Sequence, residues 1–255
     1  IRHTGKEKRA MEDKALLSTE EASGAEKAEL LIVIPAYNEA ENIERVVNHL
    51  TANFPQYDYV VVNDGSRDET AAICQRNGYN LLNLPVNLGL AGAFQAGLKY
   101  ADKYGYQYAV QLDGDGQHRP EYLESMIKKM EEGYDIVIGS RFVGEKKPFT
   151  MRMLGSNLIE MAIRFTTGVN IKDPTSGMRM FSKRMIREFA SGLNYGPEPD
   201  TVSYLIRQGA RVAEVPVIMD ERILGVSYLT PVNAMRYMLK MLISILLIQN
   251  FRKRR

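Results

Sequence analysis

The sequence predicts an α/β fold built on a mostly parallel central sheet with helices on both faces. Three observations carry this. Short, continuously apolar runs rich in Val and Ile recur between residues 30 and 140. Each is followed by a segment with apolar residues at helical spacing. Each run stops at turn formers: Pro, Asn, Asp or Gly. Strands that are apolar on both faces must be covered on both, and strand–helix alternation supplies that cover while keeping the strands parallel.

The elements follow in order. "LLIVI" (Leu30 to Ile34) is the first strand, stopped by Pro35. "ENIERVVNHL" sets Ile43, Val46, Val47 and Leu50 on one helical face. "YDYVVVNDGS" is a second strand, "RDETAAICQR" a helix and "YNLLNLP" a third strand. "GLAGAFQAGLKYADKYG" is a helix whose Gly and Ala residues permit close packing. "QYAVQLDGDG" is a fourth strand, "EYLESMIKKMEE" a helix and "YDIVIGS" a fifth strand. The rhythm then changes. "MRMLGSNLIEMAIRFTTG" reads as a helix and "SGMRMFSKRM" as a short strand turning into a helix. "PDTVSYLIRQGA" reads as a helix with Pro199 near its start and "RVAEVPVIMDER" as a strand. A long apolar helix covers about Val232 to Phe251.

A chain of 255 residues supports a core without staples. Its net charge of +2 leaves no footprint for nucleic acid. The single cysteine, Cys74, excludes an internal disulfide and points to a reducing compartment. Residues 1–29 are charged, lack the apolar stretch of a secretory signal and are read as a flexible tail. No repeat or linker divides residues 30–229, and residues 230–255 form an apolar and basic C-terminal helix.

In open α/β sheets ligands bind beyond the carboxyl ends of the strands. Strand one delivers Pro35, Tyr37 and Glu39 there, strand two Asp64, strand four Asp113, Gly114, Asp115 and Gln117, and strand five Arg141. Acidic groups from three strands thus share one edge. Two carboxylates at i and i+2 with a glycine between them suit a hard divalent cation, Mg²⁺ or Mn²⁺, that bridges the protein to a diphosphate. A plain Asp-Gly turn is the competing reading. A calcium loop of the EF-hand type is excluded, because His118 stands where it needs glycine and Pro120 interrupts it. No Walker lysine, G-x-G-x-x-G after the first strand, H-E-x-x-H or G-x-S-x-G is present.

Taken in order, "VIPAYNEAENI", "VVNDGSRDET", "NLGLAGAFQAGL", "QLDGDGQHRPEYL", "GSRF", "DPTSGMRMFS", "EVPV" and "ERILGVSYL" resemble the family 2 glycosyltransferases. The match runs from about residue 31 to 229. It is nearest to the subgroup of dolichyl- and polyprenyl-phosphate sugar transferases and bacterial cell-wall polysaccharide transferases. The resemblance implies the GT-A (nucleotide-diphospho-sugar transferase) fold and an inverting, metal-dependent transfer from a UDP, GDP or dTDP sugar. It implies that Pro35, Tyr37 and Glu39 line the base and ribose pocket, that Asp64 bonds the base, and that Asn87, Gly89 and Ala93 sit against base and ribose. Asp113 and Asp115 match its D-x-D motif, with Asp115 the direct metal ligand, Gln117 a second metal ligand and Gly114 letting the ligand approach. Arg141, Arg152 and Arg179 become candidates for holding phosphates, and Arg222 and Ser227 match a mobile loop over the donor diphosphate.

Counting back from "EVPV" places Glu198 and Asp200 where relatives carry an acidic pair. A hydroxyl acceptor needs a carboxylate to take its proton, and Asp200 is the choice for that base. A lipid phosphate acceptor needs none. Ordinary roles compete: Asp200 favouring a helix start, Arg152 and Arg179 as surface arginines, Tyr37 as a packing residue. The longest apolar run, "MLISILLI" (241–248), is too short to span a bilayer, which takes roughly 20 residues. The C-terminal helix is therefore expected to lie on the membrane surface, anchored by Arg252, Lys253, Arg254 and Arg255, with core packing or a homodimer contact as the competing readings. The expected enzyme is cytoplasmic, peripheral at the inner face of the membrane, and builds cell-wall or surface glycan on a lipid-linked glycan, polysaccharide or polyprenyl phosphate acceptor. A nucleotidyltransferase is the rival enzyme, disfavoured because "PAYNEAENI" replaces its Gly- and Arg-rich loop. An inactive nucleotide-binding scaffold is the non-enzyme rival.

Overall fold

A computed structural model of the chain describes residues 29–145, 147–148, 150–191, 196, 198–220 and 231–251. Among the described residues the strands are β1 (Leu30–Ala36), β2 (Asp58–Asp64), β3 (Leu81–Leu84), β4 (Tyr108–Gln111), β5 (Ile136–Ser140), β6 (Arg179–Ser182) and β7 (Val212–Pro216). They form one sheet in the order β3-β2-β1-β4-β6-β5-β7. β6 runs antiparallel to both its neighbours and every other pairing is parallel. The expected α/β architecture is therefore present.

The helices are α1 (Ile43–Asn53), α2 (Thr70–Arg76), α3 (Gly89–Lys103), α4 (Leu123–Glu131), α5 (Met151–Thr167), α6 (Lys183–Ser191), α7 (Pro199–Arg207) and α8 (Pro231–Leu246). Side chains alternate across a strand, so β1 feeds two cores. Leu31 and Val33 join Phe94 of α3, Ile159 and Ile163 of α5, and Met241 and Ile245 of α8. Leu30, Ile32 and Ile34 join Ile43 and Val47 of α1, Cys74 of α2 and Met126 of α4. The small residues of α3 are used as the sequence suggested. A Cβ on Gly97 would lie 2.2 Å from Val33 Cγ1, so only glycine lets the helix rest there.

β6 is held in its antiparallel slot by aromatic packing. Phe181 sits with its ring centroid 5.7 Å from Phe94 and 5.4 Å from Phe189, tying α3, β6 and α6 together. Each such pair adds about 0.5–1.5 kcal/mol beyond burial. α5 begins at Thr150, whose hydroxyl accepts from Met153 N, and ends at Gly168 in the left-handed region. The C-terminal helix ends earlier than expected, at Leu246, and a 3-10 turn (Ile248–Phe251) follows. No helix among the described residues is long and apolar enough to cross a membrane.

The register carries β1 and β2 out together, while β4 ends three residues short of the end of β1. Pro35 pairs with Val62 and Ala36 with Asn63, while Val33 pairs with Gln111. The loops leaving β1 and β2 are laced together. Asn38, the one non-glycine residue with positive φ among those described, accepts from Arg67 N at 2.9 Å, and its own N–H donates to Ser66 Oγ at 3.0 Å. Gly65 closes the end of β2 at φ +63°, where a Cβ would lie 2.7 Å from both Asn87 N and Val86 C. Those are backbone atoms that cannot turn aside. Gly65→Ala should therefore destabilise the protein by about 2 kcal/mol or more, read as a lower denaturation midpoint.

Candidate active site

The sheet edge is assembled from the ends of β1, β2, β4 and β5. β4 ends at Gln111, and Leu112 N donates to Val33 O at 3.0 Å, which carries the chain onto the end of β1. Gly114 then crosses β1 so closely that a Cβ there would be 3.1 Å from Pro35 O and 3.6 Å from Glu39 Cγ. The Asp113–Gln117 turn and Glu39 thus share one edge. Asp64, at the end of β2, lies two strands from it.

Asp113 is held by two groups that sequence reasoning passed over. Gln111, two residues earlier and so on the same face of the strand, donates its Nε2 to Asp113 Oδ1 at 2.8 Å. His118 is buried; its Nδ1 accepts from Asp113 N at 3.0 Å, and its Nε2 lies 3.7 Å from Asp113 Oδ2. Accepting at Nδ1 fixes the neutral ring with its proton on Nε2, aimed toward the carboxylate. Gly177 closes over both: a Cβ there would be 3.1 Å from Asp113 Oδ2 and from His118 Cε1. Asp115 Oδ1 accepts from Gln117 N at 3.0 Å, and Asp115 O accepts from Arg45 Nη2 at 3.0 Å. The Gln117 amide donates to Asp220 O at 3.2 Å, while Asp220 N returns a bond to Gln117 O at 2.9 Å. Arg119 pairs with the Asp220 carboxylate. The segment after β7 is thereby strapped to the D-x-D turn.

A divalent cation fits this donor set. Among the described residues no three His, Cys, Asp or Glu converge. A hard ion such as Mg²⁺ takes one or two carboxylates and fills its remaining positions with water and substrate phosphate. Asp113, Asp115 and the Gln117 amide offer that partial set beside a cavity.

The cavity, of about 360 Å³, opens against Asp113, His118, Arg141, Arg179, Glu198 and Tyr237. Arg179 heads β6 and is buried. Its Nη2 donates to Pro174 O at 2.6 Å, and its Nε finds no hydrogen-bond partner among the described residues. Burial pushes its guanidinium below the ordinary arginine value. Glu198 caps α7, and burial first, then the neighbouring Asp200, push its carboxyl up. Burial and Glu198 likewise push the Tyr237 phenol up.

A carboxyl raised above its ordinary value of 4.5 favours its neutral form in the folded protein, so ionisation at higher pH weakens the fold. Glu198→Gln should match the wild type in Tm below that value and exceed it increasingly as pH rises through the raised pKa.

Several expected residues stand elsewhere. Asp200, expected as the base, is not on the cavity wall. Its Oδ1 accepts from Thr201 N at 2.8 Å and its Oδ2 from Ser244 Oγ at 2.6 Å and Gln249 Nε2 at 3.4 Å. It fastens the C-terminal segment to the start of α7. At the N-terminus of a helix, residues two apart point to different sides, which puts Glu198 in the cavity and Asp200 in the core. Ala93 is fully buried, on the core-facing side of α3, and has no exposed surface for a ligand. Arg141 lines the cavity but is forked onto buried Asp173, Nε to Oδ2 at 2.8 Å and Nη2 to Oδ1 at 2.9 Å. Those two donors are committed to a carboxylate.

Asp64 and Asn87 are joined by hydrogen bonds. Asp64 Oδ1 accepts from Leu88 N at 2.7 Å, Asn87 Nδ2 donates to Asp64 O at 3.1 Å, and Gly89 N donates to Asn87 Oδ1 at 3.1 Å. Burial pushes the Asp64 carboxyl up. Glu39 is buried with Asn42 Nδ2 on its Oε2 at 2.9 Å, Tyr37 is half-buried, and Pro35 is inside β1. The side chain of Arg152, and all of Arg222 and Ser227, lie outside the described residues.

A mostly parallel sheet carrying a D-x-D turn at its carboxyl edge, beside a cavity with a buried guanidinium, defines a glycosyltransferase of the GT-A fold. The family model "Glycosyl transferase family 2" matches residues 31–189. The chain belongs to that family. It is 32% identical to a polyprenol monophosphomannose synthase of Mycolicibacterium smegmatis over 82% of this chain and 84% of that protein. It is 31% identical to an undecaprenyl-phosphate mannosyltransferase of Micrococcus luteus over 78% of this chain and 86% of that protein. Among solved structures, glucosyl-3-phosphoglycerate synthase of Mycobacterium tuberculosis, in complex with Mn²⁺, UDP and glucosyl-3-phosphoglycerate, shares the fold at TM-score 0.65 and 19% identity. That match covers 86% of this chain and 79% of the other.

Proposed function

We propose that this glycosyltransferase moves a sugar from a nucleoside diphosphate sugar to a polyprenyl phosphate, with inversion at the anomeric carbon, as a step in cell-surface glycan synthesis. The observation that carries the reading is one cavity shared by the Asp113 carboxylate and the buried Arg179 guanidinium. The first side suits a cation-bound diphosphate and the second an anion. The relatives, a polyprenol monophosphomannose synthase and an undecaprenyl-phosphate mannosyltransferase, support the acceptor class.

Asp113 and Asp115, with Gln117, would hold Mg²⁺ or Mn²⁺, which would supply positive charge to stabilise the departing diphosphate. The base and ribose lie over Tyr37, Glu39 and Asp64, with Asn87 and Gly89 at the rim. Arg179 holds phosphate; Arg152, Arg222 and Ser227 are proposed to add to that grip. A phosphate oxygen of the acceptor attacks the anomeric carbon as the bond to the departing diphosphate breaks. The nucleophile is already an anion, so no proton has to be removed. Closure of the cavity keeps water from attacking instead. The enzyme works at the cytoplasmic face of the membrane, where such acceptors lie, with α8 against the bilayer.

Glu198 favours a second reading. A carboxylate with a raised pKa on the cavity wall is placed to accept a proton from a sugar hydroxyl of a lipid-linked glycan. The two readings separate in one assay. With Mn²⁺, a panel of nucleotide sugars and a short polyprenyl phosphate, the first predicts a glycosyl phospholipid. It also predicts that Glu198→Gln keeps turnover within about tenfold. General-base chemistry predicts transfer only to a hydroxyl acceptor and a loss of about 10²–10⁴-fold in Glu198→Gln. Absence of any product with both acceptor types, despite nucleotide-sugar binding, favours the scaffold.

A further inference from the structure

We propose that Asp220, held by Arg119, is a positioning residue for the cation site: it fixes the side-chain amide of Gln117 so that the amide oxygen, Oε1, is the atom offered to a divalent ion. This rests on the reading of the D-x-D turn as a cation site. Gln117 has four polar groups, and three are engaged. Its main-chain N donates to Asp115 Oδ1 at 3.0 Å, its main-chain O accepts from Asp220 N at 2.9 Å, and its Nε2 donates to Asp220 O at 3.2 Å. Only the nitrogen end of an amide can donate to a carbonyl, so the last bond settles which end is which. Oε1 takes no hydrogen bond among the described residues. Asp220 thus spends both its backbone groups on one residue 103 positions earlier in the chain.

The chain after β7 reaches the turn because it stays beside β5, with Val217 N donating to Ser140 O at 3.0 Å. Met219 then lines the cavity, and Asp220 bonds the turn. The Asp220 carboxylate keeps it there. Arg119, two residues beyond Gln117, donates Nε at 2.8 Å and also Nη2 to Asp220 Oδ1. The two side chains are 40% and 43% exposed, and an ion pair so open to water adds little to the fold. Neither residue lines the cavity. What the pair can do is orient. A glutamine side chain has several rotatable bonds, and a ligand oxygen held in place beforehand binds an ion more tightly than one that must first be ordered. Charge gives the idea a sign. If the pair acted on a cation only through its field, removing Arg119 would tighten binding and removing Asp220 would weaken it. Positioning predicts that both removals weaken binding, and that neither matters once Gln117 is gone.

Mn²⁺ titrated into the full chain, with the EPR signal of the free ion as readout, tests this without turnover. Gln117→Ala should weaken binding about tenfold. Arg119→Ala and Asp220→Ala should each weaken it at least about threefold. Asp220→Asn keeps an acceptor oxygen for Arg119 and should recover part of the loss. Added to Gln117→Ala, neither alanine substitution should weaken binding further. Tm should move little in every variant, because the pair is exposed. Tighter binding in Arg119→Ala, or a further loss on top of Gln117→Ala, overturns the positioning role in favour of a field effect. Weakening confined to variants whose Tm collapses makes the strap a fold contact instead. Wild-type binding in both single alanine variants sinks this inference alone, whereas a wild type that binds no Mn²⁺ sinks the cation reading of the turn with it.

Discussion

Asp115→Ala should lower glycosyl transfer by about 10³-fold while shifting Tm by only a few degrees. The two effects have different sources and sizes. Structurally, the substitution removes the carboxylate that accepts from Gln117 N at 3.0 Å, a loss of about 0.5–1.5 kcal/mol. The bond from Arg45 Nη2 goes to the backbone oxygen and survives. Functionally, the site loses one of only two carboxylates in the turn. Lewis-acid stabilisation of a departing diphosphate is worth several kcal/mol, and about 4 kcal/mol corresponds to 10³-fold. Asp113→Asn is a second arm. It preserves shape but replaces a carboxylate whose two oxygens face Gln111 Nε2 and His118 Nε2. Turnover measured across a Mn²⁺ titration, with Tm alongside, separates the cases. Wild-type turnover and metal dependence in Asp115→Ala would overturn the assignment of this turn as the cation site.

The same turn shows what a sequence reveals and what it conceals. Asp113, Gly114 and Asp115 declare themselves because their spacing is local: one carboxylate, a residue without a side chain, another carboxylate. The strands were legible for a related reason, since a doubly covered strand must be apolar throughout, and β1 is buried along its whole length. The antiparallel insertion of β6 between β4 and β5 was not legible. Its place depends on partners distant in sequence, β4 and β5 on either side and Phe94 of α3 against Phe181. Of the pair Glu198 and Asp200, the structure sets only Glu198 on the cavity wall, for a geometric reason. Both are acidic and only two residues apart, and identity alone cannot say which faces the cavity. The decisive partners, Ser244 and Gln249, come from the far end of the chain. Gln111 could have been found, because period-two alternation puts it on the face of Asp113. His118 depended on the turn between them, which brings a buried imidazole back to the Asp113 amide. Arg141 looked like a phosphate ligand until Asp173, 32 residues away, claimed its fork.

Arg179→Met should reduce kcat/KM by about 10³-fold and leave Tm unchanged or higher, an opposition that a structural arginine would not produce. The guanidinium is buried at the head of β6. It spends Nη2 on Pro174 O, while its Nε finds no partner among the described residues. Burial of this charge opposes folding and lowers its pKa, and Tyr237, Asp173, Glu198 and Asp113 offset only part of that cost. Methionine fills similar volume with no charge to desolvate, so stability is conserved or gained at the cost of one hydrogen bond. For a phosphate in the cavity the balance reverses. The free Nε and the positive charge meet an anion in a site of low dielectric, where charge-assisted bonds are at their strongest. Arg179→Lys keeps the charge but loses the planar fork, and should fall between the two. Separate titration of donor and acceptor locates the phosphate that Arg179 holds: a rise in KM for one and not the other assigns it. A variant that keeps full turnover and loses several degrees of Tm would show Arg179 to be a clamp on Pro174, and the acceptor side of the cavity would then need another cation.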